Sequence, residues 1–130
     1  MESILIGENI IKSYNRTQKG KVDVLKNVNI NLEDNKITVI VGASGAGKST
    51  LLHILSGLDK PDTGKVIIKN TDISALQDKE LSTFRNKHIG FIFQFHHLLP
   101  EFTSLENVIM PLLICGISLS KAERTGKELL

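Results

Sequence analysis

Ile37-Thr38-Val39-Ile40-Val41-Gly42-Ala43-Ser44-Gly45-Ala46-Gly47-Lys48-Ser49-Thr50-Leu51-Leu52 is the stretch that decides the reading of this chain. Its opening run, Ile37 to Val41, is β-branched throughout and predicts a strand covered on both faces, as in a parallel sheet. The run ends directly in glycines. Beyond them Leu51, Leu52, Ile54, Leu55 and Leu58 recur at helical spacing, which predicts a helix from Lys48 to Leu58, stopped by Gly57 and Pro61. Strand, glycine loop and helix in this order form the context in which G-x-x-x-x-G-K-[ST], here Gly42 to Ser49, cradles phosphates.

The chemistry follows from charge. The tail of ATP is multiply anionic, and several backbone N–H groups plus a helix N-terminus aimed at it hold it most cheaply. Gly42, Gly45 and Gly47 let the backbone of the loop, with Ala43, Ser44 and Ala46, close around a β-phosphate. The Lys48 ammonium is expected between the β- and γ-phosphates. The Ser49 hydroxyl is a hard oxygen ligand for Mg²⁺, and Thr50 is placed for the α-phosphate.

Upstream, Ile4 to Lys12 has a strand-like rhythm, and Val24 to Leu32 alternates Val28, Ile30 and Leu32 with asparagines. The polar Asn15 to Lys21 between them predicts an antiparallel hairpin whose basic tip is a solvated loop end rather than a nucleic-acid patch. Downstream, a Pro-Asp-Thr-Gly turn at Pro61 to Gly64 leads into a short strand, Val66 to Ile68, and Gln77 to Lys87 reads as a charged surface helix. Ile89 to Phe93 is a second apolar run, closed by Gln94. Thr103 and Glu106 form a capping-box pair ahead of a helix from Leu105 to about Ile114, with a kink expected at Pro111. Ser120 and Glu123 predict another such start, for a last helix from Lys121 to Leu130.

Composition limits the function classes. The 130 residues carry 16 basic and 14 acidic side chains, a net charge of +2, too small for a chain whose main task is holding a polyanion. No nucleic-acid partner is expected. The single cysteine, Cys115, sits in an apolar run and reads as a small buried hydrophobe in a reducing compartment. Met1-Glu2-Ser3-Ile4 lacks the basic start of a signal peptide. Val108 to Leu119 is apolar but interrupted by Pro111 and Gly116, and too short to span a bilayer. His96 and His97 are not expected to bind metal, because adjacent residues of extended chain point to opposite sides.

The wording from Ser44 to Leu52 resembles that of ABC-transporter ATPases. In that family Gln94 looks like the Q-loop glutamine, implied to reach Mg²⁺ and the attacking water as a catalytic residue. Tyr14 looks like the aromatic that stacks on adenine, and Val24 sits where a small apolar residue packs near the ribose. The segment from Phe91 to Val108 is similar to the lipoprotein-releasing subfamily, with macrolide-efflux and cell-division relatives sharing much of the wording. The resemblance covers the whole chain and implies an ATP-binding subunit that powers lipoprotein release. It also implies a homodimer of such subunits, peripheral on the cytoplasmic face of the bacterial inner membrane beneath a transmembrane permease. Phe95, Leu98, Leu99 and Phe102 read either as core or as the surface that receives a helix of the permease.

The implied fold is α/β: a P-loop NTPase core with an N-terminal antiparallel β-subdomain. The expected segments are 1–35 for the β-hairpin, 36–94 for the core up to Gln94, and 95–130 for the start of a helical subdomain. Hydrolysis needs further groups. No apolar run ending in Asp-Glu (the Walker B strand), no Leu-Ser-Gly-Gly signature and no switch histidine occurs in these residues, and Leu55-Ser56-Gly57 imitates the signature in letters only. The chain is therefore expected to be the front part of a longer ATPase, with a stand-alone nucleotide-binding module of little turnover as the alternative. A GTPase is not expected, since Asn35-Lys36 and Asn86-Lys87 are not followed by Asp at the required place.

Overall fold

The computed structural model describes residues 3–16 and 20–130, in two units, Met1–Leu81 and Ser82–Leu130. The middle of the expected hairpin tip, residues 17–19, lies outside the described residues.

In the first unit β1 (Ser3–Arg16) and β2 (Gly20–Glu33) pair antiparallel, with Leu5 opposite Leu32, Ile10 opposite Val28 and Tyr14 opposite Val22. The alternation of apolar residues with asparagines made this pair legible. Its register shifts beside Ile10, where Asn9 and Asn27 take positive φ values of 50° and 57°, a conformation asparagine tolerates better than most residues. On the other edge of β1 lies β3 (Thr63–Ile68), and β3 turns into β4 (Thr71–Asp72) through Lys69-Asn70, both left-handed as a two-residue hairpin of the primed type demands. The sheet order is β2-β1-β3-β4, with every pairing antiparallel.

One face of this sheet buries Ile10, Leu25, Val66 and Ile68 in a core that also holds Leu51, Ile54 and Leu55 of α1 (Lys48–Leu55), Ile73, and Leu81 of α2 (Asp78–His88), the helix expected from Gln77 to Lys87. Each such side chain contributes roughly 1.5–3 kcal/mol on burial. The P-loop helix ends three residues earlier than its apolar spacing predicts. Gly57 turns left-handed (φ 68°), its N–H bonds the Ile54 carbonyl at 3.0 Å, and the Leu58 N–H bonds the His53 carbonyl at 2.8 Å. These two bonds stop the helix before Leu58 can join it.

The strand expected from Ile37 to Val41 is not formed. Among the described residues this run joins no ladder, and Ile37 is 95% exposed. Ile89 to Phe93 is unpaired in the same way, with Ile92 fully exposed. The cause is shared: a β-branched run has the propensity for a strand but becomes one only against a hydrogen-bonded neighbour, and the described residues supply none.

In the second unit α3 (Ser104–Ile114) and α4 (Leu119–Leu129) pack around Ile109 and Ala122, both essentially inaccessible. The capping box is present as expected. Thr103 Oγ1 accepts from the Glu106 N–H at 3.2 Å, while Glu106 Oε2 accepts from the Thr103 N–H at 2.7 Å. Asn107, one turn in, ties down the irregular chain before the helix. Its Nδ2 donates to the carbonyls of Leu99, Phe102 and Thr103, and its Oδ1 accepts from the Leu99 N–H.

Two expectations are overturned in this unit. The last helix is entered at Ser118 instead of Ser120, without a side-chain cap, because Leu119 already belongs to its first turn. Cys115 is exposed rather than buried. It follows the last residue of α3, where the chain turns through Gly116, and its thiol contacts the Asn86 side chain. Of the two readings left open for Phe95, Leu98, Leu99 and Phe102, core burial is not the one observed: all four are exposed. Among the described residues no helix is long and apolar enough to cross a membrane.

Candidate functional site

The glycine loop is built by its backbone. Gly45 and Gly47 have φ of 77° and 90°, values L-residues rarely adopt, and Gly47 is the residue from which α1 starts. A side chain there would also collide. A Cβ on Gly47 would stand 3.0 Å from Val24 Cγ1 and 3.2 Å from the Val24 carbonyl oxygen. Val24, half-buried in β2, thus packs beneath the last glycine of the loop.

With Gly47 as its cap residue, α1 has no side-chain cap bond among the described residues and no acidic residue in its first turn. Such an end directs free donors and a positive partial charge toward an anion. The Lys48 side chain folds back over the loop, its ammonium donating to the carbonyls of Gly42 at 2.8 Å and Ala43 at 2.6 Å. The Ala46 N–H bonds the Ala43 carbonyl at 3.2 Å, closing the turn that carries Ser44. Ser49 is exposed on the first turn of α1, where its hydroxyl is available to a cation. Donor set and cradle fit a magnesium-bound polyphosphate: amides and an ammonium for the anion, a hydroxyl for the metal.

Tyr14, near the end of β1, belongs to the same unit, and its phenol also meets the Thr50 side chain. Its hydroxyl donates to Asp59 Oδ2 at 2.8 Å, and the Lys12 ammonium donates to Asp59 Oδ1 at 2.8 Å and to the Lys60 carbonyl at 2.6 Å. Lys12 also lies 5.2 Å from the centroid of the Tyr14 ring. Asp62 Oδ2 accepts both the N–H (2.9 Å) and the hydroxyl (2.6 Å) of Ser13.

These contacts shift the titrations. Burial, and then the hydrogen bond to the Asp59 carboxylate, push the Tyr14 phenol above its ordinary range. Partial desolvation acts to raise the Asp59 carboxyl, but the bonds from Lys12, Tyr14 and the Lys60 N–H outweigh it and hold the group below the usual carboxylate range. The two bonds from Ser13 lower Asp62.

The first unit therefore brings together Tyr14, Val24 and the loop from Gly42 to Thr50. Gln94 belongs to the second unit, exposed in the irregular stretch between Phe93 and Phe95. Sequence reasoning missed Lys12 and Asp59. Lys12 and Tyr14 stand two residues apart, on one face of their strand, which was a signal; that the turn after α1 returns Asp59 to that face was not written in any local pattern.

Comparison with known proteins identifies the family. A family described as ABC transporter matches residues 25–129. The lipoprotein-releasing system ATP-binding protein LolD of Cytophaga hutchinsonii is 56% identical over the whole chain, and that of Geobacter metallireducens 50% identical. The chain spans 57% of the length of each of these relatives. Among solved structures, a dimeric ATP-binding cassette in a post-hydrolysis state, bound to ADP and Pi, superposes with a TM-score of 0.85 at 38% identity, covering 95% of this chain and 54% of that one. A second dimeric structure, of a bacterial ABC transporter cassette, gives 0.83 at 38% identity, covering 92% of this chain and 53% of that one. With an ABC transporter profile spanning residues 25–129, the chain belongs to the ABC transporter family.

Proposed function

We propose that this chain binds Mg·ATP at the Gly42–Thr50 loop and serves as part of the ATP-binding subunit of a lipoprotein-releasing transporter. The observation that carries the reading is the loop itself: two left-handed glycines, an uncapped α1 N-terminus and the Lys48 ammonium held over it.

In this reading the amides from Gly42 to Lys48 take the β-phosphate. Lys48 exchanges its loop carbonyls for β- and γ-phosphate oxygens, a replacement of neutral acceptors by charged ones that favours the nucleotide. Ser49 would hold Mg²⁺, which would supply neutralisation of phosphate charge, and the role that the family resemblance implies for Gln94 is that of an oxygen ligand that orients the attacking water. Thr50 meets the α-phosphate, Tyr14 stacks on adenine and Val24 packs near the ribose. No apolar run ending in Asp-Glu occurs in these residues, and the role assigned to them in this reading is nucleotide binding.

The relatives' names support lipoprotein release as the work performed, and the dimeric cassettes support assembly of two copies. The subunit would lie on the cytoplasmic face of the inner membrane, with a permease seated on exposed Phe95, Leu98, Leu99 and Phe102. Calorimetric titration of the chain with ATP, with and without Mg²⁺, tests the nucleotide site: saturable binding strengthened by the metal supports it, and absence of binding sinks it.

A further inference from the structure

We propose that Asp59 is a positioning residue that fixes the Tyr14 ring in place as the platform for a nucleobase. This deepens the proposed function and rests on its reading of Tyr14. Tyr14 is 42% exposed, yet its far end is anchored: the hydroxyl donates to Asp59 at 2.8 Å. Asp59 is itself fixed, taking a 2.8 Å bond from Lys12 and a 2.7 Å bond from the N–H of Lys60. The Lys12 side chain is only 11% exposed, and it reaches over the Tyr14 ring, its ammonium 5.2 Å from the ring centroid. An aromatic residue free to rotate would have to be immobilised on binding, a cost that a pre-set ring avoids. The anchor also explains an otherwise idle ion pair. Lys12 and Asp59 join the strand carrying Tyr14 to the turn that ends the P-loop helix, so ring and phosphate loop are held in one frame.

The cluster should therefore affect a ligand that has a base and leave untouched one that has only phosphates. The chain, Asp59→Ala, Tyr14→Phe and the double variant are titrated with Mg·ATP and with magnesium tripolyphosphate. Removing either partner of the hydroxyl–carboxylate bond is expected to weaken ATP about three- to tenfold and leave tripolyphosphate unchanged. The double variant should lose no more than either single one. A spectroscopic sign accompanies this. Tyr14 is the only tyrosine and the chain has no tryptophan, so its emission, quenched by a carboxylate that accepts the phenol proton, should brighten in Asp59→Ala.

If Asp59→Ala keeps the wild-type ratio of ATP to tripolyphosphate affinity, or weakens both ligands equally, Asp59 does not position the base platform. Should that variant not fold, Tyr14→Phe decides alone, because it keeps the ring and deletes only the hydroxyl; an unchanged ratio there overturns the proposal. Wild-type chain that binds both ligands equally well would overturn it while leaving the phosphate site standing. Wild-type chain that binds neither would overturn the nucleotide site as well.

Discussion

Lys48 donates from Nζ to the carbonyl oxygen of Ala43 at 2.6 Å, five residues back along its own loop. A flexible stem with a compact ammonium can make that bond and then turn to a phosphate; a planar guanidinium cannot enter the same space. Lys48→Arg keeps the charge and is nonetheless expected to weaken Mg·ATP at least about tenfold, measured by calorimetry.

Gly47→Ala combines two penalties. The residue sits at φ 90°, and the new methyl would stand 3.0 Å from Val24 Cγ1 and 3.2 Å from the Val24 carbonyl. Strain and crowding at that position cost about 1–3 kcal/mol each. The denaturation midpoint should fall accordingly, and nucleotide binding should fall with it; an unchanged midpoint would show that the loop is softer than its geometry indicates.

The Tyr14 phenol, raised by burial and by the Asp59 carboxylate, should ionise above the ordinary tyrosine value of about 10. Its contribution to stability is present below that pH and lost as pH rises through the folded-state value. Asp59 behaves oppositely: lowered in the fold, it contributes above the ordinary carboxylate value and loses that contribution as pH falls through the lowered one. Ultraviolet absorbance of the lone phenolate follows the first titration directly. In Asp59→Ala its midpoint should move back toward the ordinary value.

How much of this was legible beforehand depended on distance along the chain. The β1–β2 pair, the P-loop helix and the Thr103–Glu106 box were all written locally, in alternation, helical spacing and cap residues. The Ile37–Val41 run was misread because a buried strand is a property of neighbours, and propensity alone does not supply them. The Lys12–Tyr14–Asp59 cluster stayed hidden because it joins residues some 45 positions apart. Ser118 took the cap expected of Ser120, and since it makes no side-chain cap bond itself, the cap pattern alone did not fix where the helix starts.

Gly126 tests packing in the second unit. Alanine is the better helix former by about 1 kcal/mol, but a Cβ here would run into Ile109 and stand 2.8 Å from Leu105 Cδ1, and Gly126 is buried between them. Overpacking of this kind costs about 1–3 kcal/mol, so the clash should win and Gly126→Ala should lower the melting temperature. A raised melting temperature would mean that α3 and α4 shift apart freely.

The most direct test of the account is calorimetric titration of the chain and of its Lys48→Ala variant with Mg·ATP. Saturable binding at one nucleotide per chain, abolished by Lys48→Ala while the circular dichroism spectrum is preserved, is the predicted result. Equal binding by the two proteins, or no binding by either, would contradict the assignment of Gly42–Thr50 as the nucleotide site.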